Sequence, residues 1–390
     1  MNLCLTRGIP SLALLLFMGC GTPTTPVEPT PATTPSAPEP TSEKTAEPTS
    51  QPRAAAMSTE PVQGDLCEAT GFDRLTDGRL LVVDANRSDS VSLYPASGLA
   101  KGPPEQIPLT FKSMEGPLPE QIEDLAAVAS RGDALALVGS FAHADGEGCP
   151  LPANRAKILV GEAKPEGIEW QHRMRMTPCA WNGSGEYCRG EPGGLLASIE
   201  LCKDALFTSK ITTQGDSVCG VLVEAEKATS EGACSDAFSV AAATIVPGRA
   251  GKKLWVALDA PLSAAGETIL LRIEQPLAQL DRLSFDRASF LPLPTGFSIR
   301  GLATEGDRII GVADGPDEGI FFSFPVRELK DGEAVTPKRM NPQLPRGSES
   351  ISAGLEGAVV LFGGSREGDA CPHPAAVGVA AWGAGSSTTR

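Results

Sequence analysis

The chain has 390 residues, and its 33 Lys and Arg against 48 Asp and Glu give a formal net charge of -15. This negative field excludes long-range attraction to nucleic acid, so an anionic ligand would need a local basic group. Aromatic residues make up only 5% of the chain, which argues against a lectin that stacks sugars on aromatic rings.

Residues 1–19 have the pattern of a signal peptide. Arg7 precedes an apolar stretch of about ten residues, whereas a helix that spans a bilayer needs roughly 20. The end of this stretch, Phe17-Met18-Gly19-Cys20, resembles the lipobox of bacterial lipoproteins. The resemblance implies a lipid on Cys20 and a lipid anchor that holds the mature chain in the cell envelope, at the outer membrane or cell surface. The alternative is an ordinary secretory signal in which Cys20 has no special role.

Residues 20–63 are rich in Pro, Thr, Ser and Glu and hold almost no large apolar side chain. Such a segment cannot bury a core, so the composition predicts a disordered linker that tethers the following domain to the membrane. A proline-rich ligand for SH3-like modules is the alternative. Residues 64–385 are predicted to form the globular domain, and residues 386–390 a disordered tail.

Eight cysteines remain when Cys4 and Cys20 are set aside with the signal peptide and the lipid. An even set in an exported protein predicts about four disulfides. The spacing favours local pairs of Cys179 with Cys188 and of Cys219 with Cys234, and Cys67 could join Cys371 to clasp the two ends of the domain. Zinc is the alternative, but the chain has no C-x-x-C motif and only three histidines.

The globular region repeats a strand, turn, strand pattern. The stretch "IEDLAAVASRGDALALVGS" from Ile122 is similar to "IRGLATEGDRIIGVADG" from Ile299, and each contains a Gly-Asp turn. Weaker copies begin at Thr70, Gly193, Ala241 and Ile351. A hairpin with a buried face needs neighbours to stack on, and a ring of blades supplies them. The sequence therefore predicts an all-β fold, a β-propeller of about six blades, with a double β-sandwich as the alternative.

The repeated units resemble an uncharacterised bacterial β-propeller family that is akin to the phytase-like and esterase-like phytase propellers. The resemblance depends on four short segments: Gln121-Ile122-Glu123-Asp124-Leu125-Ala126, Gly139-Ser140, Ser298-Ile299-Arg300-Gly301-Leu302-Ala303 and Gly306-Asp307-Arg308. Arg300 and Ser352 stand where the family motif has an acidic residue, and Asp124 stands where it has glycine. If those acids bind calcium in the relatives, this chain has lost part of the site.

Motifs for catalysis are missing from the sequence. No G-x-S-x-G segment occurs, and "GRAGKK" near Gly248 lacks the spacing of a phosphate-binding loop. The stretch "DANRSDS" at Asp84 begins like a Ca²⁺ loop but lacks the glycine and glutamate that complete one. The sequence therefore identifies no catalytic residue, and we predict no cofactor, with Ca²⁺ at Asp84 as the alternative to a plain turn.

Five polar residues lie beside the repeated turns, where propellers gather loops around a central channel: Glu123, His143, Arg155, Arg300 and Asp314. We expect Glu123 and Arg300 to face a shared funnel from different blades, whereas the alternative is that each is a solvated loop charge. Two functions follow. The first is non-enzymatic binding of a small ligand or an envelope protein, and the second is metal-dependent hydrolysis of phosphoesters or other esters, as the family resemblance implies.

Overall fold

The computed structural model of the protein describes residues 57–113, 116–146, 149–175, 202, 213–249, 251–280, 283–353, 357–367 and 370–381. Several predicted features lie outside these residues: the signal peptide, most of the linker, the tail, Cys179, Cys188 and nearly all of the Gly193 repeat. No helix in the described part of the chain is long and apolar enough to cross a bilayer.

The described strands form five blades of antiparallel sheet. Blade 1 contains β2 (Ala69–Arg74), β3 (Leu80–Asp84), β4 (Ser90–Tyr94) and β5 (Glu105–Pro108). Blade 2 contains β8 (Leu125–Arg131), β9 (Ala134–Gly139), β10 (Lys157–Lys164) and β11 (Gly167–Arg175), and the hairpin β6 (Thr110–Ser113) and β7 (Gly116–Pro119) extends it. Blade 3 contains β12 (Ser239–Gly248), β13 (Gly251–Ala260), β14 (Thr268–Ile273) and β15 (Phe285–Leu291).

Blade 4 contains β16 (Ser298–Glu305), β17 (Arg308–Asp314), β18 (Gly319–Pro325) and β19 (Lys338–Leu344). Blade 5 contains β20 (Ser348–Ala353), β21 (Gly357–Phe362), β24 (Ala376–Ala381) and, at its outer edge, β1 (Thr59–Pro61) from the start of the described chain. The hairpin β22 (Ser365–Glu367) and β23 (Ala370–His373) lies between β21 and β24 in the chain. In the described part of the chain, the helix α1 (Thr213–Ala228) lies between blades 2 and 3, and short 3₁₀ turns cover Thr229–Glu231, Cys234–Asp236, Leu277–Gln279 and Val326–Glu328.

The five innermost strands close into a ring. The innermost strand of each blade contacts that of the next blade, in the order β2, β8, β12, β16 and β20, and β20 contacts β2 in turn. Blade 5 takes its outermost strand from residues 59–61, so both ends of the described chain meet in one sheet. The predicted boundary at residue 64 therefore began the domain too late, because a three-residue strand that contains proline gives no strand signal in the sequence.

Each interface between neighbouring blades holds its own hydrophobic cluster among the described residues. Adjacent residues of one strand point into different clusters: Ile309 packs with blade 3, and Ile310 packs with blade 5. In the same way, Leu80 packs with blade 5 and Leu81 packs with blade 2. Side chains alternate across a strand, so a blade with two buried faces needs the consecutive apolar residues that these strands contain.

Three disulfides join described cysteines. Cys67 is bonded to Cys371, with a Cα–Cα distance of 5.6 Å, and this bond connects the start of blade 1 to the β22–β23 hairpin of blade 5. Cys149 is bonded to Cys234, and Cys202 is bonded to Cys219. The predicted pairing of Cys219 with Cys234 is therefore wrong, because the chain between them continues as α1 instead of the hairpin that such a local pair would staple.

The predicted all-β propeller is confirmed, with five blades where the sequence predicted about six. The repeats from Thr70, Ile122, Ala241, Ile299 and Ile351 fall on the inner hairpins of blades 1 to 5 in order. The extra blade was counted on the weak Gly193 repeat, of which only Cys202 is described, in a helical conformation. A ring of five blades also replaces the double β-sandwich that was left as the alternative.

Candidate functional site

Every innermost strand carries a β-bulge near its start. The register of the inner hairpin skips one residue in each blade, and the skipped residues are Thr70, Ala126, Ala241, Arg300 and Glu349. Blade 3 has a second irregularity, at which Asp259 of β13 is skipped. A bulge leaves the extra residue out of the ladder and turns its side chain in a new direction, and bulges are common beside functional sites.

All of these bulged residues line one cavity of ≈ 340 Å³ at the mouth of the central channel. Since the innermost strands of all five blades contribute to its wall, the cavity lies on the axis of the ring. Charged side chains from nearby loops also reach it: Asp124, His143 and Asp145. The site is thus a small polar funnel that forms only when the ring closes.

Arg300 is the guanidinium of this funnel. It occupies the bulge of β16, and its Nε is buried without a hydrogen-bond partner in the part of the chain that the structure describes. A buried donor that lacks an acceptor is costly, since it has lost water and gained nothing. Arg300 therefore brings to the cavity wall a guanidinium that has no ion-pair partner among the described residues.

Glu349 occupies the corresponding bulge of β20, in the next blade. Burial raises the pKa of the Glu349 carboxyl, the charge of Arg300 opposes this shift, and the charges of Asp314 and Asp259 add to it. The negative charge of Glu349 thus lies in an environment that penalises it. A cationic group placed beside it would relieve that penalty.

Asp124 and the predicted site residue Arg155 lie together at one side of the funnel. Ser140 Oγ donates to Asp124 Oδ2 at 2.7 Å, and Arg155 Nε lies 3.9 Å from the same oxygen. Asp124 has a positive φ of 55°, which turns the chain sharply just before β8. The Asp124 carboxylate is therefore already engaged by protein groups.

His143 lines the funnel but is buried, with only 4% of its side chain exposed. Its Nδ1 lies 2.5 Å from the carbonyl oxygen of Cys149, and its Nε2 lies 3.4 Å from Oε2 of Glu226 on α1. Burial lowers the pKa of His143, but the hydrogen bond and charge of Glu226, with the Cys149 carbonyl, outweigh burial and raise it. Both ring nitrogens face acceptors, so His143 fits a buried imidazolium and not the solvated loop charge that was the alternative.

Glu123 and Asp314 do not line the funnel. Glu123 is exposed and accepts a hydrogen bond from Asn154 Nδ2 at 3.3 Å. Asp314 Oδ1 accepts from the backbone N–H of Gly347 at 2.8 Å and so helps to hold the loop that leads to β20. Of the five predicted residues, the structure brings Arg300 and His143 into the cavity wall and places Arg155 against Asp124.

The expected equivalence of Glu123 with Arg300 is wrong. Leu125 pairs with Gly139 just before one bulge, as Ile299 pairs with Ala313 just before the other. Ala126 is therefore the counterpart of Arg300. The register is set by the Gly-Asp turns, and alignment of the two repeats on those turns, instead of on their first isoleucine, would have given the correct pairing.

Glu349 and Asp259 were missed by the sequence analysis. Neither follows a motif, because any residue type can occupy a bulge of this kind. The five bulged positions hold Thr, Ala, Ala, Arg and Glu, which leaves no periodic signal in the sequence.

The Asp84 carboxylate lies at a turn and accepts hydrogen bonds from one backbone N–H inside the turn and one outside it. Asp84 is buried, and its two carboxylate oxygens accept hydrogen bonds from the N–H of Asn86 at 2.9 Å and of Cys67 at 3.1 Å. These bonds use both oxygens, so the geometry is that of a capped turn. Among the residues that the structure describes, no group of three or more His, Cys, Asp or Glu could hold a metal ion.

Below the funnel, polar bonds join the innermost strands. Asp73 is buried and accepts from Arg74 N at 2.8 Å, Ser130 N at 2.6 Å and Ser352 Oγ at 2.7 Å, which links blades 1, 2 and 5. Burial raises the pKa of Asp73, although these hydrogen bonds oppose the shift. Arg131 Nη1 donates to Thr304 O at 2.9 Å, which ties blade 2 to blade 4 at the far end.

The fold and the cavity define the molecule as a five-bladed β-propeller with a charged funnel on its axis. No family model matches the chain, and no curated protein matches it, so the resemblance to the phytase-like propellers stays a prediction. Among solved structures, the chain is similar to the Dos1 propeller, with a TM-score of 0.31 and 7% identity over 78% of this chain and 69% of that one.

Two glycoside hydrolases are also similar to the chain. The exo-β-1,3-galactanase 1,3Gal43A of Clostridium thermocellum has a TM-score of 0.40 and 11% identity over 83% of this chain and 61% of that one, so the match spans less than two thirds of the galactanase. The GH43_1 enzyme of Xanthomonas citri, crystallised with xylotriose, has a TM-score of 0.36 and 11% identity over 84% of this chain and 90% of that one. Similarity at this level says nothing about the ligand or the activity of this chain.

Proposed function

We propose that the protein is a surface-tethered envelope lipoprotein whose propeller binds a small ligand in the funnel without changing it chemically. The observation that carries the proposal is Arg300, whose buried Nε lacks a hydrogen-bond partner and whose bulge faces a cavity of ≈ 340 Å³. An anionic group on the ligand would lie beside a guanidinium that no described carboxylate pairs with. The planar guanidinium offers a fork of donors that matches a carboxylate or a phosphate.

Two of the titratable groups that line the funnel, Asp124 and His143, already have protein partners. Asp124 is engaged by Ser140 and Arg155, and His143 is engaged by Glu226 and the Cys149 carbonyl. A general base must reach the proton that it removes with a free lone pair. His143 offers none to the cavity without first breaking these contacts, and at Asp124 both contacts fall on Oδ2.

The tether and the anchor rest on the sequence. Cys20 carries the lipid, and the segment between it and β1 links it to the propeller. The first described strand, β1, is the outermost strand of blade 5, so the described chain begins at the rim of the ring. Replacement of Cys20 by Ser should abolish metabolic labelling of the protein with palmitate, and persistent labelling of that variant would contradict the anchor.

Binding is tested on the mature full-length chain by calorimetry, with acetate, inorganic phosphate, amino acids and an N-acetyl amino acid as probes. We expect Arg300→Gln to weaken the binding of an anionic or zwitterionic probe by about 1.5–3 kcal/mol, the scale of a hydrogen bond to a charged group. Arg327→Gln, which changes an exposed arginine at the other end of blade 4, is the matched control and should bind as the wild type does. Equal binding by both variants would contradict the proposal.

A second candidate is a metal-dependent phosphoesterase or esterase, as the family resemblance implies. The lining holds four carboxylates, Asp124, Asp145, Asp259 and Glu349, although no three described acids are grouped as a metal site. Carboxylate oxygens are the ligands that Ca²⁺ and Mg²⁺ prefer. Metal analysis of the purified protein and a phosphomonoester assay with added Ca²⁺ separate the two functions. Stoichiometric metal together with turnover that Asp259→Asn abolishes would replace binding by hydrolysis.

A further inference from the structure

Some charged side chains of the funnel have a hydrogen-bond or ion-pair partner in the protein, and others have none among the described residues. Asp124 has Ser140 and Arg155 as partners, and His143 has Glu226. In the described part of the chain, the remaining charged side chains of the lining are one guanidinium and three carboxylates that make no hydrogen bond or ion pair: Arg300, Asp145, Asp259 and Glu349. The unengaged charge of the funnel is therefore negative.

The order of the blades places Arg300 between two of these carboxylates. Asp259 is on the bulge of β13 in blade 3, Arg300 on the bulge of β16 in blade 4, and Glu349 on the bulge of β20 in blade 5. Because all three residues line the same cavity, a ligand that reaches the guanidinium also meets a carboxylate on each side.

This arrangement disfavours two simple classes of ligand. A purely anionic ligand would be drawn to Arg300 but repelled by Asp259 and Glu349 at short range, where the partly enclosed site screens charge poorly. A neutral polyol could donate hydroxyls to the carboxylates, but it would leave the excess negative charge unneutralised. Burial and the charges of Asp314 and Asp259 disfavour the ionised form of Glu349 more than Arg300 favours it, and a cation relieves that cost most directly.

We infer that the ligand of the funnel is a zwitterion with a carboxylate for Arg300 and an amine for Glu349 and Asp259, as in an amino acid or a short peptide. The inference rests on the proposed function and names the ligand class of the same site. The cavity of ≈ 340 Å³ is at the lower end of the roughly 300–1,000 Å³ typical of small-molecule pockets, which suits a ligand of this size.

The test uses sets of three matched probes on the mature full-length protein: a free L-amino acid, its N-acetyl derivative without the amine charge, and its amide without the carboxylate. A thermal-shift screen of the twenty amino acids and of mixed dipeptides selects the sets, and calorimetry measures them. We expect the free compound to bind about tenfold or more tightly than either derivative, which corresponds to one charge-assisted hydrogen bond.

Two variants test which protein residue binds the amine of the ligand and which binds its carboxylate. Glu349→Gln should lose the preference for the free amine over the N-acetyl form, and Arg300→Gln should lose the preference for the free carboxylate over the amide. Glu105→Gln and Arg327→Gln change exposed residues of blades 1 and 4 and should keep both preferences.

The outcomes separate the inference from the proposed function. If acetate, phosphate or N-acetyl amino acids bind through Arg300 while free amino acids and dipeptides do not, the inference falls and the binding function stands. Binding of glucose or glycerol that both Arg300→Gln and Glu349→Gln abolish would overturn the inference in the same way. If no probe binds in a manner that depends on Arg300, both the inference and the proposed function fall.

Discussion

Arg300 and Glu349 occupy the same bulged position in neighbouring innermost strands, and both face the central cavity. The two strands are adjacent because blades 4 and 5 are adjacent in the ring. The bulge takes each side chain out of the regular alternation that would otherwise point it into a blade interface. A guanidinium and a carboxylate are thus presented side by side at the axis by backbone geometry.

The raised pKa of Glu349 predicts how ligand binding depends on pH. Arg300 on β16, Asp314 on β17 and Asp259 on β13 act on this carboxyl, and the balance of burial and charge raises its pKa above the usual 4.5. An amine needs the ionised carboxylate, so affinity should fall on acidification while the pH is still above 4.5. Calorimetry with the tightest amino acid at a series of pH values measures this, and Glu349→Gln should remove that part of the decline.

The buried carboxylate of Asp73 predicts a loss of stability in Asp73→Asn. Its two oxygens accept from two backbone N–H groups and from the Ser352 hydroxyl. The amide NH₂ of Asn would face one of these donors, so at least one buried group would lose its partner, at a cost of about 1–3 kcal/mol. Urea unfolding measures the difference. Asp307→Asn, in an exposed turn, is the control, and equal stability of the two variants would contradict the predicted role.

The His143 and Glu226 pair predicts a pH-dependent contribution to stability. The folded-state pKa of His143 is raised above 6.5, so the contribution is complete below pH 6.5 and is lost as the pH rises through the folded-state pKa. Glu226→Gln should lower the free energy of unfolding by roughly 3 kcal/mol, the lower end of the range for breaking a buried pair, and flatten this pH dependence.

Glu224→Gln is the matched control for Glu226→Gln. Glu224 lies on the same helix in an exposed i,i+3 ion pair with Lys227, and such surface pairs contribute about 0–1 kcal/mol. If the two variants unfold with the same free energy and the same pH profile, His143 and Glu226 do not act as a charged pair.

The disulfides predict a specific peptide map. Mass spectrometry of the unreduced protein should recover Cys67 joined to Cys371, Cys149 to Cys234 and Cys202 to Cys219. Replacement of both Cys67 and Cys371 by Ser should cost about 2–4 kcal/mol, because the bond closes the ring and restricts the unfolded chain. Peptides that join Cys219 to Cys234 would instead support the local pairing expected from the sequence.

The sequence by itself determined the features that depend on neighbouring residues. The short apolar runs and the Gly-containing turns between them identified the inner hairpins of all five blades, because strand and turn preferences are local. Gly132 and Gly306, for example, have the positive φ values of 62° and 57° that such turns favour, as glycine is strained least there. The class of fold followed from the repetition of these hairpins.

Only the tertiary structure decided how the hairpins come together. The number of blades, the entry of β1 into the last blade and the bond between Cys149 and Cys234 depend on contacts between distant parts of the chain. The same holds for the funnel. A bulge has no fixed residue type, so Ala126, Arg300 and Glu349 share a position that no local pattern reveals. Their convergence is fixed by ring closure, which places five strand ends from distant sequence positions around one axis.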